Sequence, residues 1–426
     1  MKLGEMTSFT LIEKIIKSHA EVSDKEIYSN NIVWVNLDLV TARDYAGPQV
    51  IDLFQEHYSG SKTFDNEKII FTPDCYPYGN DSKHAKDQEK IRVFAKKHNI
   101  QVTDLGSGIG SHLLFRRGFS KPGDIVFGAD SHYNLLGALG ILGQGAGDIM
   151  LAFSMKTGKS WIKIPQTVKV ILEGEYNWPT TSKDLALFIL KQLHEHGITG
   201  KAVEFYGDVI SKLSIEDRIT LCSLITEASG VIGFVPPDEV TIDFYKKQDI
   251  DFELITADTD ALYESELTIN IQDLGLYVAC PPHPHNVKPI EEVLGTPINS
   301  IIVGSCTNGS AADIRDAAKI LKNQKINPDV RFGVVPATRE DFVSAHKENT
   351  MTTVLDAGGN FFGTGCSTCA NGQYGLTGGE TAVTMTTGNR NTQGKIGPAD
   401  VYLASPVIAA ATAIEGKIAL PKERDD

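Results

Sequence analysis

The sequence predicts an α/β protein built from three blocks of comparable size. Short apolar runs alternate with amphipathic stretches along the whole chain, a pattern typical of strands layered against helices. A chain of 426 residues is long enough for roughly two to four domains. Breaks in composition follow residue 165 and the Pro-rich stretch 280–285. We therefore expect domains at 1–165, 166–285 and 286–426.

Local periodicity predicts the individual elements. Apolar residues at helical spacing predict helices over 10–18, 182–194 and 311–322. Apolar runs of strand length predict strands over 31–36, 68–72, 124–128, 168–173, 267–271 and 300–304. The Gly- and Ala-rich stretch 137–148 is either a flexible linker or a tightly packed helix and turn, and its regular apolar content favours the second.

Composition excludes several classes of protein. A formal net charge of −14 argues against nucleic acid or an anionic membrane as the main partner. The first residues lack the apolar core of a secretory signal, and no stretch approaches the roughly 20 apolar residues that span a bilayer. Six cysteines are too few for a disulfide scaffold and suit a reducing compartment. We expect a cytoplasmic protein.

Three cysteines in the last third of the chain point to a metal centre. Cys306 lies in the turn Gly-Ser-Cys-Thr-Asn-Gly-Ser, and Cys366 and Cys369 form a Cys-x-x-Cys pair far downstream. Three thiolates are one short of filling a tetrahedral zinc site or a four-iron cluster, which leaves a metal corner open to substrate. A Cys-x-x-Cys pair alone is also found in zinc knuckles and redox pairs. Asn308 and Ser310 either help to form this site or cap the following helix.

Further motifs occur in a fixed order along the chain. They are Asp38-Leu39-Val40 with Pro48-Gln49, Gly106-Ser107-Gly108-Ile109, Gly128-Ala129-Asp130-Ser131-His132, Leu221-Cys222 with Glu227, Asn286-Val287-Lys288-Pro289, the two cysteine motifs, and Asn389-Arg390-Asn391. With these residues the chain resembles the aconitase superfamily, nearest to its 3-isopropylmalate dehydratase large-subunit branch. The resemblance extends from about residue 11 to residue 417.

The resemblance implies a fold, a cofactor and a reaction. The fold would be a three-domain α/β/α cluster-binding core without the C-terminal swivel domain, which a separate small subunit would supply. Cys306, Cys366 and Cys369 would hold a [4Fe-4S] cluster whose open iron acts as a Lewis acid. The reaction would be that of a hydro-lyase or isomerase on a small hydroxy-dicarboxylic acid, either 3-isopropylmalate-like or a variant.

The resemblance also assigns roles to individual side chains. His132 would pair with Glu227, Asp130 would orient a second histidine, and Asn389 and Arg390 would hold a substrate carboxylate. The residues in catalytic positions are Asp74, His112, Asp130, His132 and Glu227. The residues in substrate-binding positions are Arg43, Ser131, Ser223, Asn389, Arg390 and Lys395.

Several of these positions depart from the family pattern. Cys75 and Ser111 stand where the family has histidines, Ser223 replaces an asparagine, Arg43 replaces a histidine or glutamine, and Lys395 replaces an arginine. His112 either substitutes after a one-residue shift or points elsewhere. Cys75 either protonates a leaving hydroxyl, contacts the cluster or fills space.

These departures indicate a changed substrate or a changed reaction. The alternative function is a cluster-bearing sensor or scaffold with little or no dehydratase activity. An RNA-binding role, which some aconitase relatives have, is disfavoured by the acidic charge.

Overall fold

The strands of the protein form three α/β sheets and one two-stranded ribbon within the residues that the structure describes. The structure is a computed structural model that describes residues 8–79, 81–369, 374–376 and 379–422. In these ranges no helix combines the length and the apolar character that crossing a bilayer requires.

The first sheet is parallel and has the strand order β4-β3-β2-β5-β6. Its central strands are buried along their whole length, as expected when helices cover both faces of a parallel sheet. Strands β1 and β7 pair antiparallel as a separate ribbon. The elements are α1 (Leu11–His19), β1 (Ile32–Asn36), β2 (Leu39–Arg43), α2 (Gly47–His57), β3 (Ile69–Thr72), α3 (Ser82–His98), β4 (Gln101–Val102), α4 (Gly110–Arg116), β5 (Ile125–Gly128), β6 (Leu142–Gly145), α5 (Asp148–Thr157) and β7 (Lys159–Lys163).

The second sheet is also parallel, with the order β10-β9-β8-β11. Its longest helix, α6, begins at a capping box of Thr181 and Asp184 and ends at Gly197 in the left-handed conformation. The elements are β8 (Thr167–Glu173), α6 (Ser182–His196), β9 (Ala202–Tyr206), α7 (Asp208–Lys212), α8 (Ile215–Ser223), β10 (Ile232–Phe234), α9 (Glu239–Lys246) and β11 (Ser265–Asn270).

The third sheet is mixed, with the order β13-β12-β18-β17-β14-β15-β16. Strand β12 pairs antiparallel with both neighbours, and the other pairs are parallel. The elements are β12 (Tyr277–Ala279), β13 (Val287–Pro289), β14 (Ser300–Gly304), α10 (Ala311–Leu321), β15 (Arg331–Val335), α11 (Arg339–Lys347), α12 (Thr350–Asp356), β16 (Asn360–Phe361), β17 (Thr384–Thr386), β18 (Val401–Leu403) and α13 (Pro406–Glu415). Short 3-10 helices lie at Asp24–Glu26, Ser131–Leu139, Ile225–Ala228, Ile290–Glu292 and Ser367–Cys369.

The predicted helices and strands occur close to their expected bounds, and the Gly-rich stretch 137–148 needs a correction. It closes a 3-10 helix and then forms strand β6, so the predicted helix and turn account for its first part only. Gly143 and Gly145 are required here because a Cβ on either would meet the backbone of the preceding 3-10 helix. These glycines have low strand propensity, which is why the sequence pattern does not predict strand β6. The domain boundaries stay a prediction, although β12 joins the third sheet before residue 285.

The carboxyl ends of parallel strands carry the motif residues. Arg43 ends β2, Asp74 and Cys75 follow β3, and the segment 130–132 follows β5. In the third sheet, Cys306 follows β14, and the segment 389–391 follows β17. This edge of a parallel sheet is where ligand sites form in α/β proteins.

The close packing of β6 gives a prediction on stability. A Cβ at Gly143 would lie 2.1 Å from the carbonyl oxygen of Tyr133, which is backbone and cannot rotate away. We expect Gly143→Ala to lower the free energy of unfolding by about 1–3 kcal/mol, measured by urea denaturation. Gly275→Ala is the matched control, since a Cβ there meets nothing within 4 Å. Equal unfolding midpoints for the two variants would contradict the packing argument.

Candidate active site

A buried arginine lies at the centre of the candidate site. Arg43 Nε donates to Asp74 Oδ1 at 2.6 Å, and its Nη1 lies 2.6 Å from Asp130 Oδ2. Its Nη2 donates to the sulfur of Cys366. Burial alone would lower the pKa of Arg43, but the carboxylates of Asp130 and Asp74 raise it well above its ordinary value. The guanidinium thus stays charged and joins the first sheet to the second cysteine motif.

The loop after β3 is held by a carboxylate beneath it. Asp44 accepts the backbone N–H groups of Asp74, Cys75 and Tyr76 at 3.2, 2.8 and 2.9 Å. Asp74 in turn accepts the N–H of Gly110 at 2.5 Å. Burial raises the pKa of Asp74 to about 6, because desolvation outweighs the attraction of Arg43. This carboxyl is therefore close to changing its charge near neutral pH.

A second group of polar side chains links all three sheets. His132 Nε2 lies 2.8 Å from Glu227 Oε1, as the family pattern predicts. The same carboxylate oxygen accepts from Arg390 Nε at 2.9 Å, while Arg390 Nη2 donates to Ser131 Oγ at 2.9 Å. Burial raises the pKa of Glu227, but its bonds with His132 and Arg390 outweigh burial and lower it overall. Glu227 is thus held ionised.

Two strained turns carry the three cysteines. Ser305 adopts the left-handed region at φ 83°, and a Cβ at Gly304 would lie 2.5 Å from the carbonyl oxygen of Val335. Cys306 and Cys366 are buried, and Cys369 is partly exposed. The turn after Cys306 ends at Ser310, which caps α10 in a capping box with Asp313.

The surroundings of the three thiols fit an iron–sulfur cluster. Arg43 acts electrostatically on all three, Lys395 and Arg390 act on Cys369, and Lys183 lies within electrostatic reach of Cys306. Positive charge around thiolates is what an anionic centre needs. The ligand atoms of Asp74, Cys75 and Cys366 also lie within 4.8 Å of one another. Because Arg43 donates to Cys366 in this group, its positive charge would repel a separate metal cation bound by the three residues.

His112 supports the first cysteine turn. Its Nε2 donates to the carbonyl oxygen of Cys306 at 2.7 Å, and among the described residues its buried Nδ1 has no hydrogen-bond partner. Burial and the nearby Arg116 lower the pKa of His112 to about 4, so the ring is neutral. The prediction that Asp130 orients a second histidine differs from the contacts that the structure shows for Asp130. Asp130 instead contacts Arg43 and the backbone of His132.

The remaining substrate-position residues differ in where they lie. Ser223 is buried, and its Oγ is 3.1 Å from both the carbonyl oxygen of Thr220 and Thr307 Oγ1, so it braces the first cysteine turn. Asn389 Nδ2 lies 3.8 Å from the sulfur of Cys306. Lys395 is half-buried near Cys369.

Sequence reasoning missed Lys183, which is fully buried in the first turn of α6. Its Nζ donates to the carbonyl oxygens of Thr387 and Gly388 at 2.9 and 2.7 Å, directly before Asn389 and Arg390. Burial lowers the pKa of Lys183 to about 7. The available signal was a cation in the first turn of a helix, where the helix dipole disfavours positive charge. Lys183 therefore fixes the loop that presents Arg390.

Comparisons with known proteins show which family the chain resembles. The family model described as the aconitase family (aconitate hydratase) matches residues 13–416. The 3-isopropylmalate dehydratase large subunit of Picrophilus torridus is 37% identical over 418 residues, covering 97% of this chain and 99% of that protein. That of Clostridium kluyveri is 35% identical over 422 residues, covering 98% and 99%. The crystal structure of Thermococcus kodakaraensis aconitase X in its holo-form has a TM-score of 0.51 at 14% identity, covering 88% and 92%, and shows likeness of fold alone.

The burial of Lys183 gives a prediction on pH dependence. In the apoprotein the folded lysine loses its proton near pH 7, while an unfolded lysine loses it near about 10.4. Between these values the unfolded state binds more protons, so stability rises with pH. We expect the unmodified protein to become more stable relative to Lys183→Met as the pH rises from about 7 to about 10.

The matched control is Lys191→Met, a partly exposed lysine of the same helix. The difference in free energy of unfolding between this variant and the unmodified protein should stay constant over the same pH range. Urea denaturation at several pH values measures both, and parallel pH profiles for the two variants would contradict the buried-lysine argument.

Proposed function

Since the chain belongs to the aconitase family, we propose that it is the large, cluster-binding subunit of a hydro-lyase or isomerase acting on a small hydroxy-dicarboxylic acid. Family membership makes the chain an enzyme of the hydro-lyase class. The observation that carries the proposal is the array of Ser131, His132, Glu227 and Arg390 beside the three cysteines. Such an array suits a substrate with a carboxylate and an exchangeable proton.

The proposed cofactor is a [4Fe-4S] cluster held by Cys306, Cys366 and Cys369. When bound, the cluster supplies an iron with an open position, which polarises a hydroxyl group and lets it leave as water. Cys369 is partly exposed, and we propose that the site opens to solvent on this side.

Arg390 is the proposed anchor for a substrate carboxylate. Glu227 and Ser131 hold its Nε and Nη2, which fixes the plane of the guanidinium. Its side chain is 26% exposed, so the remaining N–H groups can meet a carboxylate in the opening. Lys395 adds a second positive charge on the Cys369 side, without the planar fork of an arginine.

His132 is the proposed group that moves a proton. The ionised Glu227 accepts from Nε2, which fixes the tautomer and leaves Nδ1 as the basic nitrogen. Nδ1 lies 3.7 Å from Asp130 Oδ1. The pair thus provides a general acid or base whose orientation is set before substrate binds.

A small subunit is the proposed partner. The relatives are named large subunits, which implies a second chain in those enzymes. We propose that this protein likewise works with a small subunit, which carries the swivel domain on a separate chain. The complex would be cytoplasmic. The substituted positions Arg43, Cys75 and Ser111 favour a 3-isopropylmalate-like substrate with a changed group near the first sheet.

A panel of hydroxy-dicarboxylic acids tests the proposal that the protein is a hydro-lyase or isomerase. Anaerobically reconstituted chain, with its small subunit, should change its EPR signal when a suitable hydroxy-dicarboxylate binds at the cluster. Cys306→Ser is the control for the ligand assignment and should lose iron on reconstitution. If every acid in a panel leaves the signal unchanged, a cluster-bearing sensor or scaffold becomes the better reading.

The pairing of His132 with Glu227 gives a separate prediction, on the rate of the reaction. Glu227→Gln removes the charge that fixes His132 and Arg390, and we expect kcat to fall by about 10²–10⁴-fold while iron content is kept. The exposed Glu253→Gln is the matched control and should leave kcat unchanged. A Glu227→Gln enzyme with normal kcat would contradict the proposed role of the His132–Glu227 pair in proton transfer.

A further inference from the structure

We propose that Cys75 is a redox partner of Cys366, and that the two thiols form a reversible disulfide when the cluster is lost. The pairing would hold the ligand Cys366 in a recoverable state. This inference rests on the proposed role of Cys366 in binding the cluster, and it gives the unusual Cys75 a function.

The geometry places the two thiols together. Their sulfur atoms lie within 4.8 Å of each other, with an Asp74 carboxylate oxygen in the same group. The backbone N–H of Cys366 donates to the carbonyl oxygen of Asp74 at 3.0 Å. The chain segments that carry the two cysteines are thus fixed side by side. A disulfide between them forms when the sulfurs approach from this distance to about 2.05 Å.

The burial of the pair explains why other partners are less suitable. Cys75 and Cys366 are 8% and 6% exposed, so a small oxidant reaches them more readily than a bulky thiol does. Among the other cysteines, Cys369 is the competitor, because its N–H donates to the carbonyl oxygen of Cys366 within one 3-10 turn. Cys369 instead lies on the side of Arg390 and Lys395.

The chemistry balances with a peroxide as the oxidant. The Cys366 sulfur, which contacts the Arg43 guanidinium, attacks one peroxide oxygen and breaks the O–O bond; it becomes a sulfenic acid, and the thiol proton leaves with the other oxygen as water. Cys75 sulfur then attacks the sulfenic sulfur, the S–S bond forms and a second water leaves. Two thiols lose two electrons and two protons, and hydrogen peroxide becomes two waters. A dithiol reductant reverses the reaction.

The consequence concerns repair of the enzyme. A cysteine oxidised beyond the sulfenic state is lost as a ligand, because sulfinic and sulfonic acids do not return to the thiol with ordinary reductants. A neighbouring thiol that captures the sulfenic acid prevents that loss. In the intact site Cys366 would be bound to iron, so the disulfide marks only protein that has lost its cluster.

The test compares full-length apoprotein with two variants, Cys75→Ser and Cys280→Ser. Cys280 is a buried cysteine that is not one of the three proposed cluster ligands, and it serves as the matched control. Each protein is treated with hydrogen peroxide, free thiols are alkylated, and peptides are mapped by mass spectrometry. We expect a Cys75–Cys366 peptide in the unmodified protein and in Cys280→Ser, and its loss on treatment with dithiothreitol.

Cluster rebuilding gives the second readout. After peroxide and then dithiothreitol, iron content should recover in the unmodified protein and fall several-fold in Cys75→Ser, with Cys366 sulfinylated. A Cys366–Cys369 disulfide as the main product, or equal sulfinylation with and without Cys75, would overturn the proposal. Failure of untreated, unmodified protein to take up iron would count against the proposed cluster instead.

Discussion

The buried guanidinium of Arg43 is the interaction on which the rest of the site depends. It ends the central strand of the first sheet and bonds to carboxylates that follow the two neighbouring strands. The same group reaches Cys366 in the third sheet block. A buried charge is tolerated only with such partners, and removing one partner from a buried pair typically costs about 3–5 kcal/mol. Arg43 therefore sets both the local charge and the relative position of the cysteine motif.

From this centre a chain of charged and polar contacts extends across the site. Asp130 contacts both Arg43 and His132, His132 contacts Glu227, and Glu227 contacts Arg390. Each group is held by its neighbours, so little reorganisation is needed when a charged substrate arrives. Lys183 lies behind this array and fixes the backbone of its last member. The site is thus assembled from rigid sheet edges, with loops only at the points of contact.

Much of this arrangement could be predicted from the sequence, and the reasons for the exceptions are physical. Buried strands such as β14 appear as apolar runs, and the cysteine motifs with His132 and Glu227 carry a family pattern that fixes their neighbourhood. Strand β6 was hidden because close backbone packing demands glycine there. The engagement of Arg43 with Cys366, 323 positions apart, and the burial of Lys183 depend on tertiary contacts. Local periodicity reports which face is buried, and it does not report the partner.

The order of these contacts along the chain has a consequence for how the protein is made. Arg43 meets Asp74 and Asp130 within the first block, so this group of ion pairs can form while the rest of the chain is still being synthesised. Glu227 acquires Arg390 only after 163 further positions, and Cys366 reaches Arg43 comparably late. The candidate site therefore comes together only after residues of all three sheets have been synthesised.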